Sequence, residues 1–267
     1  MKPLLRWLAL LAAAVLSLQL FFVGRIALMA VVDPQSTAFE RSEAWRMASG
    51  INSPSTAPTA GPSTGLGTGF RWRQQWVGYE HISDHLKRAV ISSEDDGFAY
   101  HDGVDWDALE KAWQKNAKAQ EQAAKRAGAD TGKSTQKTTR PVKAPKVVGG
   151  STITQQLAKN LFLSGERTLV RKGQEFVLTF MLETLLSKER ILEIYLNSVE
   201  WGAGVFGAEA ASQYYFHKPA SKLAPIEAAR LAVMLPRPKY FEKLPNSSYL
   251  AERAAVIASR MGGAELP

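Results

Sequence analysis

Hydrophobic residues are concentrated at the start of the chain. Residues 7–23 form an apolar run that only two polar residues interrupt, and a second apolar run over 26–32 follows Arg25. An apolar segment of about 18 or more residues can cross a bilayer, and an arginine near its end reaches the interface with its long side chain. The pattern predicts a transmembrane anchor over residues 7–32, preceded by a short tail over residues 1–6.

A cleaved signal peptide is the alternative interpretation of this segment. The hydrophobic stretch is long for a signal peptide, and residues 27–30 are a poor small-residue cleavage site. We therefore favour an anchor that is retained. Lys2 and Arg6 precede the apolar run, and positive residues of this kind stay in the cytoplasm, which places the chain after Val32 outside it.

Two segments lack a hydrophobic period. Residues 33–69 include a stretch over 47–69 that is rich in Ser, Thr, Pro, Gly and Ala, which is typical of a linker or mobile loop. Residues 118–146 are basic and carry almost no large apolar side chains, so folding would not offset the entropy of ordering them. We expect a linker over 33–69 and a flexible basic segment over 118–146, inside an otherwise ordered domain over 70–262.

Helical periodicity dominates the remainder of the chain. Residues 168–197 show one long helical pattern, apolar nearly all round in the sequence FVLTFMLETLL, which predicts a buried central helix. Thr152 and Gln155 fit a capping box that begins another helix. Further helical patterns lie over residues 82–93, 152–162, 208–216, 226–235 and 249–261. Strand patterns are scarce after residue 147, so the body of the protein is predicted to be mainly α.

Composition and charge narrow the function classes. The 267 residues contain no cysteine, which excludes a disulfide framework, a thiolate nucleophile and a cysteine-ligated zinc. The formal net charge of +8 indicates an anionic partner. Residues 1–6 carry +2, residues 7–117 carry −3, residues 118–146 carry +6 and residues 147–267 carry +3. This distribution favours a membrane surface and phosphate groups as partners, and we expect no nucleic acid.

Acidic residues end the first helical segment. Glu94, Asp95 and Asp96 follow an apolar stretch, and Phe98 and His101 come next. An acidic cluster is most often a solvated helix end. A partly desolvated carboxylate here would have a raised pKa and could act as a general base. His101 fits equally well as a hydrogen-bond partner that orients the loop.

A glycine pair opens the next predicted helix. Gly149 and Gly150 precede Ser151 and Thr152, and the free backbone N–H groups at such a helix start can bind an anion. A plain capped helix is the alternative. The turn is not a P-loop, because no Gly-Lys-Ser/Thr follows the glycines.

Four cations are clustered within fourteen residues: Lys159, Arg167, Arg171 and Lys172. Glu175 lies one turn after Arg171, where an i,i+4 pair would keep it ionised. A surface ladder of charges is the alternative interpretation. Glu175 begins an apolar helix, however, and burying an unpaired carboxylate costs on the order of several kcal/mol, which favours a functional role.

Taken together and in this order, these segments resemble the peptidoglycan glycosyltransferase family. That family includes the glycosyltransferase domain of class A penicillin-binding proteins and the monofunctional biosynthetic transglycosylases. The matching motifs are EDDGFAYHDG (94–103), GGSTITQQLAKNLFL (149–163), RKGQE (171–175), SKERILEIYLN (187–197), WGAGVFGAEAASQYYF (201–216), HKPASKL (217–223) and EAARLAVMLPRPKY (227–240). The resemblance covers about residues 72–260, and no transpeptidase domain fits in what remains, so the chain looks like the monofunctional type.

The resemblance implies a fold and an activity. The fold would be a lysozyme-like α domain with a small jaw subdomain against the cell inner membrane, on its periplasmic side. The activity would be inverting transfer of the growing glycan strand from its undecaprenyl-diphosphate donor to the 4-hydroxyl of lipid II, in cell-wall synthesis. The family allows a divalent cation, Mg²⁺ or Mn²⁺, near Glu94 and Glu175, and no organic cofactor is expected. Expected partners are lipid II, the lipid-linked glycan, the membrane and proteins of cell-wall synthesis or division.

The resemblance also implies roles for individual residues. Glu94 corresponds to the general base for the acceptor hydroxyl, and Glu175 to a second glutamate that helps the diphosphate depart. The residues expected to hold the diphosphate are Lys159, Arg167, Arg171 and Lys172. The other residues expected to bind substrate are Asp95, Phe98, His101, Gly150, Ser151, Thr152, Gln155, Gln156 and Asn160. Lys188 and Asn197 are expected to be structural.

Two other functions stay open from the sequence. Paired carboxylates on a lysozyme-like fold also cleave glycans, so a membrane-anchored lytic glycosidase is the enzymatic alternative, although a cation cluster for a diphosphate argues against it. A basic, membrane-tethered adaptor would bind anionic polymers without turnover. Such an adaptor would need residues 118–146 and would not need Glu94 or Glu175.

Overall fold

Helices make up most of the chain that the structure describes, which confirms the predicted mainly α class with an apolar N-terminal helix. The structure is a computed structural model and describes residues 2–49, 72–129, 150–163, 166 and 168–267. The helices are Lys2–Leu28 (α1), Ala38–Ala48 (α2), Asp84–Glu94 (α3), Trp106–Ala129 (α4), Ile153–Phe162 (α5), Leu169–Leu185 (α6), Lys188–Ser198 (α7), Ala208–Phe216 (α8), Pro225–Met234 (α9), Pro238–Phe241 (α10) and Ser248–Arg260 (α11).

A small sheet joins distant parts of the chain. Its strands are Arg73–Gln74 (β1), Glu200–Gly202 (β2) and Val205–Phe206 (β3), and their order is β1-β3-β2. Strand β1 is parallel to β3, and β2 is antiparallel to β3 with an irregular register between Glu200 and Gly202. The sheet therefore brings the residues that follow α7 next to the segment that precedes α3.

Helix α1 is apolar over almost its whole length. An 18-residue stretch within Pro3–Leu28 has a mean hydropathy of 2.1, so by length and composition the helix is able to cross a membrane, a test that a signal sequence also passes. The helix continues through Arg25 and ends at Leu28, so the predicted anchor boundary at Val32 lies beyond the helix. Ile26, near the end of α1, is completely buried in the core of the domain.

The C-terminal part of α1 packs against α5 and α6. Gln19 and Gln174 exchange two hydrogen bonds between their side-chain amides, at 3.1 and 3.2 Å. The ring of Phe22 meets the ring of Phe162 edge-on at 5.3 Å, and the Arg25 guanidinium lies 5.2 Å from the centre of the Phe162 ring. The apolar helix is therefore attached to the body of the protein at several points.

The segment 33–69, predicted to be a linker, contains helix α2. Thr37 accepts a hydrogen bond from the Glu40 N–H, and the Glu40 carboxylate accepts one from the Thr37 N–H, which makes a reciprocal capping box. The linker prediction is therefore wrong over residues 37–49. Residues 37–49 show no hydrophobic period because α2 buries carboxylates rather than an apolar stripe. Residues 50–69 lie outside the described residues.

The prediction of one long helix over 168–197 is wrong. Helices α6 and α7 are separate because Leu186 has extended backbone angles, φ −122° and ψ 149°. Ser187 then caps α7 by accepting a hydrogen bond from the Arg190 N–H. A serine before a charged turn is a helix-start signal that the surrounding apolar pattern concealed.

Helix α6 is buried on one face only. Leu178 and Leu182 lie in the core, whereas Val177 and Phe180 are 41% and 46% exposed. The two exposed side chains line an apolar surface depression together with Val23 of α1. The apolar residues all round α6 therefore do not mean that the helix is completely buried. One face packs in the core, and the other lies beside α1.

Helix α4 extends into the segment 118–146, which was predicted to be flexible. Residues 118–129 are helical because their sequence is rich in Ala, Gln, Lys and Glu, which are strong helix formers. Low complexity thus concealed a helical composition in this part. The remainder of the segment, 130–146, lies outside the described residues.

The core of the domain holds the site helices in place. Helix α9 packs between α3 and α11, and α5 packs against α2, α6 and α7. Leu86 and Ile91 of α3, Leu157 of α5 and Tyr195 of α7 are completely buried. Trp201 is also buried and donates a hydrogen bond from Nε1 to the Leu231 carbonyl, 3.1 Å away. This packing fixes the C-terminal end of α3 beside the N-terminal half of α5.

Candidate active site

The loop after α3 is held against the start of α5 by Asp95 and His101. Asp95 is buried, and its two carboxylate oxygens contact the Ile153 N–H at 2.9 Å and His101 Nε2 at 2.8 Å. His101 Nδ1 accepts a hydrogen bond from the Gly103 N–H, so Nε2 carries the proton that is donated to Asp95. Thr152 Oγ1 donates to the Gly103 carbonyl at 2.6 Å. His101 therefore orients the loop.

A glycine is required at the end of this loop. Gly103 has φ +85°, a left-handed conformation that side chains disfavour. A Cβ atom built there would lie 2.6 Å from Thr179 Cγ2 and 2.8 Å from Glu183 Cγ, both on α6. The close approach of the loop to α6 therefore depends on the missing side chain.

Lys188 ties the same loop to α6 and α7. Its ammonium donates to the His101 carbonyl at 2.5 Å and to Glu183 Oε1 at 2.9 Å. Glu183 also accepts a hydrogen bond from Thr154 Oγ1 of α5 at 2.5 Å. These contacts fit the structural role that was expected of Lys188, because they fasten the loop and three helices to one another.

Glu94 is the last residue of α3 and lies in a cleft. Its Oε2 accepts a hydrogen bond from Gln156 Nε2 at 3.0 Å, and Gln156 Oε1 accepts one from the Tyr195 hydroxyl at 3.0 Å. Burial raises the pKa of Glu94, and the nearby Asp95 carboxylate adds to that effect. The Gln156 hydrogen bond and the Lys159 ammonium act in the opposite direction. Such a carboxyl group can take up a proton from a substrate.

Glu175 lies in a different environment on α6. Its carboxylate is buried, with Arg171 at 2.9 Å from Oε2 and Lys172 in contact with Oε1. Arg171 Nε is buried and has no hydrogen-bond partner within the described part of the chain. Burial lowers the pKa of Lys159, and Arg171 and Lys172 contribute to this while Glu175 opposes it.

Two adjacent cavities form the cleft. We call the first, of about 370 Å³, the cation half, and its lining includes Gln156, Lys159, Asn160, Arg171 and Tyr195. We call the second, of about 300 Å³, the acid half, and its lining includes Glu94, Asp95, Asp96, Gly150, Ser151 and Thr152. The Gln156–Glu94 hydrogen bond joins the two halves, so Glu94 lies at the boundary between them.

Several predicted substrate contacts are buried instead. Phe98 is completely buried in the core, and Gln155 is buried on α5. Asn197, which is expected to be structural and not a substrate contact, is completely buried; it accepts a hydrogen bond from the Val77 N–H and donates to the Val77 and Glu193 carbonyls. These side chains support the cleft from behind. Arg167 lies outside the described residues.

Sequence reasoning missed residues that the fold brings to the cleft. Tyr195 of α7 donates a hydrogen bond to Gln156, the partner of Glu94. It lies in the motif SKERILEIYLN, so the family resemblance could have indicated this residue. Phe39 of α2 and Glu200 of β2 line the cation half but lie outside the motifs, whereas Pro238 of α10 also lines it and lies in the motif EAARLAVMLPRPKY. Arg260 lines the acid half from the end of α11, and its Nε donates to Ser92 Oγ at 3.0 Å.

The described residues do not fit a divalent cation held by the protein. They contain no group of three or more His, Cys, Asp or Glu side chains that could hold a metal ion. Both carboxylate oxygens of Glu175 already contact cationic side chains, Arg171 and Lys172. We therefore derive no step of the reaction through a metal, and the divalent cation stays a prediction.

Fold and site together define a class of protein. A half-buried carboxylate with a raised pKa lies beside a cavity lined by cations, on a helical domain that an apolar helix precedes. A general base next to cations that can bind phosphate oxygens is typical of an enzyme that transfers a group from a phosphorylated donor.

The comparisons with known proteins identify the family within this class. The model of the transglycosylase family matches residues 67–135 and 124–262. A biosynthetic peptidoglycan transglycosylase of Burkholderia thailandensis is 50% identical over 98% of this chain and 88% of its own length. Proteins of the same name from Paraburkholderia phytofirmans and Burkholderia multivorans are 48% and 49% identical, over 98% of this chain and 94% and 92% of their own lengths. The chain belongs to the transglycosylase family and is a glycosyltransferase of peptidoglycan synthesis.

Proposed function

We propose that the protein polymerises glycan strands by transferring the growing strand from undecaprenyl diphosphate to the 4-hydroxyl of lipid II, with inversion at the anomeric carbon. The observation that carries this proposal is the position of Glu94. Its carboxylate, with a raised pKa, lies at the boundary between the cation half, which contains Lys159 and Arg171, and the acid half, whose lining has hydroxyl, acidic and basic side chains. A base placed there is beside the diphosphate and within reach of an acceptor sugar.

In the proposed reaction, Glu94 accepts the proton of the acceptor 4-hydroxyl as that oxygen attacks the anomeric carbon of the donor. The bond between the anomeric carbon and the diphosphate oxygen breaks on the opposite face, which gives inversion, and undecaprenyl diphosphate leaves. The Gln156 hydrogen bond stabilises the charged form of Glu94 before the transfer. Tyr195 orients the Gln156 amide, so that its NH₂ group and not its oxygen faces the carboxylate.

Cationic side chains stabilise the departing diphosphate in this proposal. Lys159 and Arg171 line the cation half. Hydrogen bonds from charged donors to phosphate oxygens are short and about twice as strong as neutral ones. Arg167 and Lys172 are proposed to add charge to the same cluster.

Glu175 acts through these cations in our proposal. Its carboxylate holds the adjacent Arg171 and Lys172, which lie one turn before it on α6, with their charges kept close to Lys159 despite mutual repulsion. Removal of the carboxylate would let the two side chains move apart. The departure of the diphosphate therefore depends on Glu175 without direct proton transfer to it.

The membrane location is also part of the proposal. Helix α1 is consistent with a single-pass anchor, and the exposed apolar side chains of α6 lie beside it. We propose that α1 crosses the cell inner membrane with the catalytic domain on the periplasmic side, where lipid-linked substrates reach the cleft from the bilayer. Contacts with proteins of cell-wall synthesis or division are proposed to involve this anchor.

The experiment that tests the proposed function is polymerisation of fluorescent lipid II by the purified full-length protein. We expect the wild type to form long glycan strands and Glu94→Gln to form none above background. Glu252→Gln is the matched control, because Glu252 is an exposed glutamate on α11, and it should polymerise normally. Normal polymerisation by Glu94→Gln would overturn the role of Glu94. Release of soluble sugars from finished cell wall, with no polymerisation of lipid II, would favour the lytic glycosidase.

A further inference from the structure

Helix α2 is held against the catalytic domain at both ends. Near its N-terminus, the Glu40 carboxylate accepts a hydrogen bond from Gln74 Nε2 of β1 at 2.8 Å, and the Phe39 ring meets the Phe206 ring of β3 at 6.3 Å. The short connection from α1 is fixed as well, because Arg190 of α7 donates to the Met29 carbonyl at 2.8 Å. The segment that leaves the anchor is therefore part of the folded domain.

An ion-pair chain holds the C-terminal half of α2. The Lys239 ammonium of α10 lies 2.7 Å from Glu43 Oε2 and 3.0 Å from Glu200 Oε1, and Arg46 pairs with the same Glu43 oxygen. Glu43 and Glu200 are both buried. Because buried carboxylates are costly without partners, Lys239 fixes the position of α2 relative to β2 and α10.

This helix forms one side of the cation half. Phe39 lines the cavity together with Leu235 and Pro238, which gives a largely apolar wall that continues to Glu200. Lys159 and Arg171 line the same cavity from α5 and α6. The cavity therefore combines apolar carbon and cationic nitrogen, which suits a ligand that joins the carbon–hydrogen face of a sugar to a diphosphate.

We propose that α2 is a substrate-positioning wall of the cleft, in which Phe39 contacts the sugar attached to the diphosphate and the Glu43–Lys239–Glu200 chain fixes the wall. The inference rests on the proposed function, because it takes a lipid-linked sugar diphosphate as the ligand of the cation half. In this inference Phe39 contributes to substrate binding directly. The Glu43–Lys239–Glu200 chain contributes indirectly, because it fixes the position of α2.

The main test measures the initial rate of lipid II polymerisation against lipid II concentration, with full-length protein in detergent. Phe39→Leu retains an apolar side chain against Phe206 but loses the aromatic ring. We expect this variant to raise KM about tenfold, with kcat within about twofold of the wild type, because a contact equally strong in ground and transition states affects KM alone. Phe39→Tyr keeps the ring and should stay within about threefold of the wild-type KM.

Trp45→Ala is the matched control on the same helix. Trp45 is 75% exposed and is not among the residues that line the cleft, so its removal should leave KM and kcat unchanged. The thermal unfolding midpoint of each variant is measured in parallel. An unchanged KM in a folded Phe39→Leu protein would overturn the inference, as would a fall in kcat alone.

A second experiment tests the ion-pair chain by a double-mutant cycle. Lys239→Met should raise KM about three- to tenfold, and Lys239→Arg should largely restore it because the arginine keeps the charge between Glu43 and Glu200. If both residues act through one wall, the KM effects of Phe39→Leu and Lys239→Met will be less than multiplicative in the double variant. Fully multiplicative effects would overturn the link between them.

The outcomes separate this inference from the proposed function. Glu94→Gln is included in the same assay. If Glu94→Gln is inactive but Phe39→Leu has the KM of the wild type, the inference about α2 is overturned and the proposed function is not. Full activity of Glu94→Gln would overturn the proposed function, whatever Phe39 does.

Discussion

Glu94 and Glu175 are both glutamates on helices beside the cleft, but the groups around their carboxylates differ. Glu94 accepts one hydrogen bond from a neutral amide, that of Gln156, and burial raises its pKa. Glu175 is more deeply buried and contacts two cations, Arg171 and Lys172. Two residues of the same type, both predicted to be catalytic, thus occupy opposite electrostatic environments.

The difference shows which carboxylate can exchange a proton. A general base works best when its pKa lies close to the working pH, and desolvation moves Glu94 in that direction. A carboxylate between two cations instead stabilises the position of those cations. Within the proposed function, we therefore propose that Glu94 accepts the proton and that Glu175 organises the cations that would hold the diphosphate.

Replacement of Glu94 should have the largest effect. Glu94→Gln keeps the shape of the side chain and removes its basicity, so we expect kcat to fall about 10²- to 10⁴-fold, as for other general bases. The binding of lipid II should stay close to that of the wild type, because the cations are untouched. Initial polymerisation rates and lipid II binding to the inactive variant would measure both quantities.

Replacement of Glu175 should have a smaller effect of a different kind. Glu175→Gln leaves Arg171 and Lys172 without their counter-charge, so we expect kcat/KM to fall about 10- to 100-fold, with a substantial share in KM. Loss of one partner of a buried ion pair should also lower the free energy of unfolding, by at most about 3–5 kcal/mol because the two cations are partly exposed. Steady-state kinetics and denaturation of the two glutamine variants, measured together, would show the contrast. Identical kinetic defects in both would contradict the separate roles.

Glu200 provides an intermediate case between the two glutamates. It is buried with one cationic partner, Lys239, and burial raises its pKa to about 7, with Glu43 contributing and Lys239 and Arg46 opposing. A carboxyl group with a pKa raised from 4.5 on folding contributes stability that is present below pH 4.5 and is lost as the pH rises through about 7.

The wild type should therefore lose about 2 kcal/mol of unfolding free energy relative to Glu200→Gln between pH 5 and pH 8. Urea unfolding of both proteins in detergent at the two pH values would measure this difference. A difference that does not change with pH would show that pairing with Lys239, and not burial, controls the ionisation of Glu200.

Tyr195→Phe should have the smallest effect. The variant removes the hydroxyl that donates to Gln156 and leaves the Gln156–Glu94 hydrogen bond in place. A single neutral hydrogen bond contributes about 1 kcal/mol, so kcat/KM should fall about two- to fivefold. A loss as large as that of Glu94→Gln would mean that Tyr195 takes part in the chemistry directly.

The sequence alone predicts those features that depend only on residues close together in the chain. The Thr152 side chain accepts a hydrogen bond from the Gln155 N–H at the start of α5, which is one of the two hydrogen bonds of the predicted capping box. Helix α8 has the predicted bounds, 208–216. The i,i+4 pair of Arg171 with Glu175 was also predictable, because it depends only on helical spacing.

The remaining features depend on tertiary contacts. No periodicity in residues 37–49 indicates that Glu43 will meet Lys239, 196 positions away, so the sequence alone predicts a linker where α2 lies. Phe98 lies in a motif of polar residues and was expected in the cleft, but the fold uses it in the core. Gln156 becomes a partner of Glu94 only when α5 packs beside the end of α3.

The pH dependence of kcat/KM in the wild type and in Gln156→Leu tests the central claim most directly. The Gln156 hydrogen bond lowers the pKa of Glu94, so its loss should raise that pKa further. Since the substrate and its own ionisation are the same in both assays, a difference between the two profiles belongs to the enzyme. We predict that the rate of the wild type falls with acid at a pH above the usual value of 4.5 for a glutamate, and that this limb moves to still higher pH in Gln156→Leu. Superimposable acid limbs in the two proteins would contradict the assignment of Glu94 as the general base.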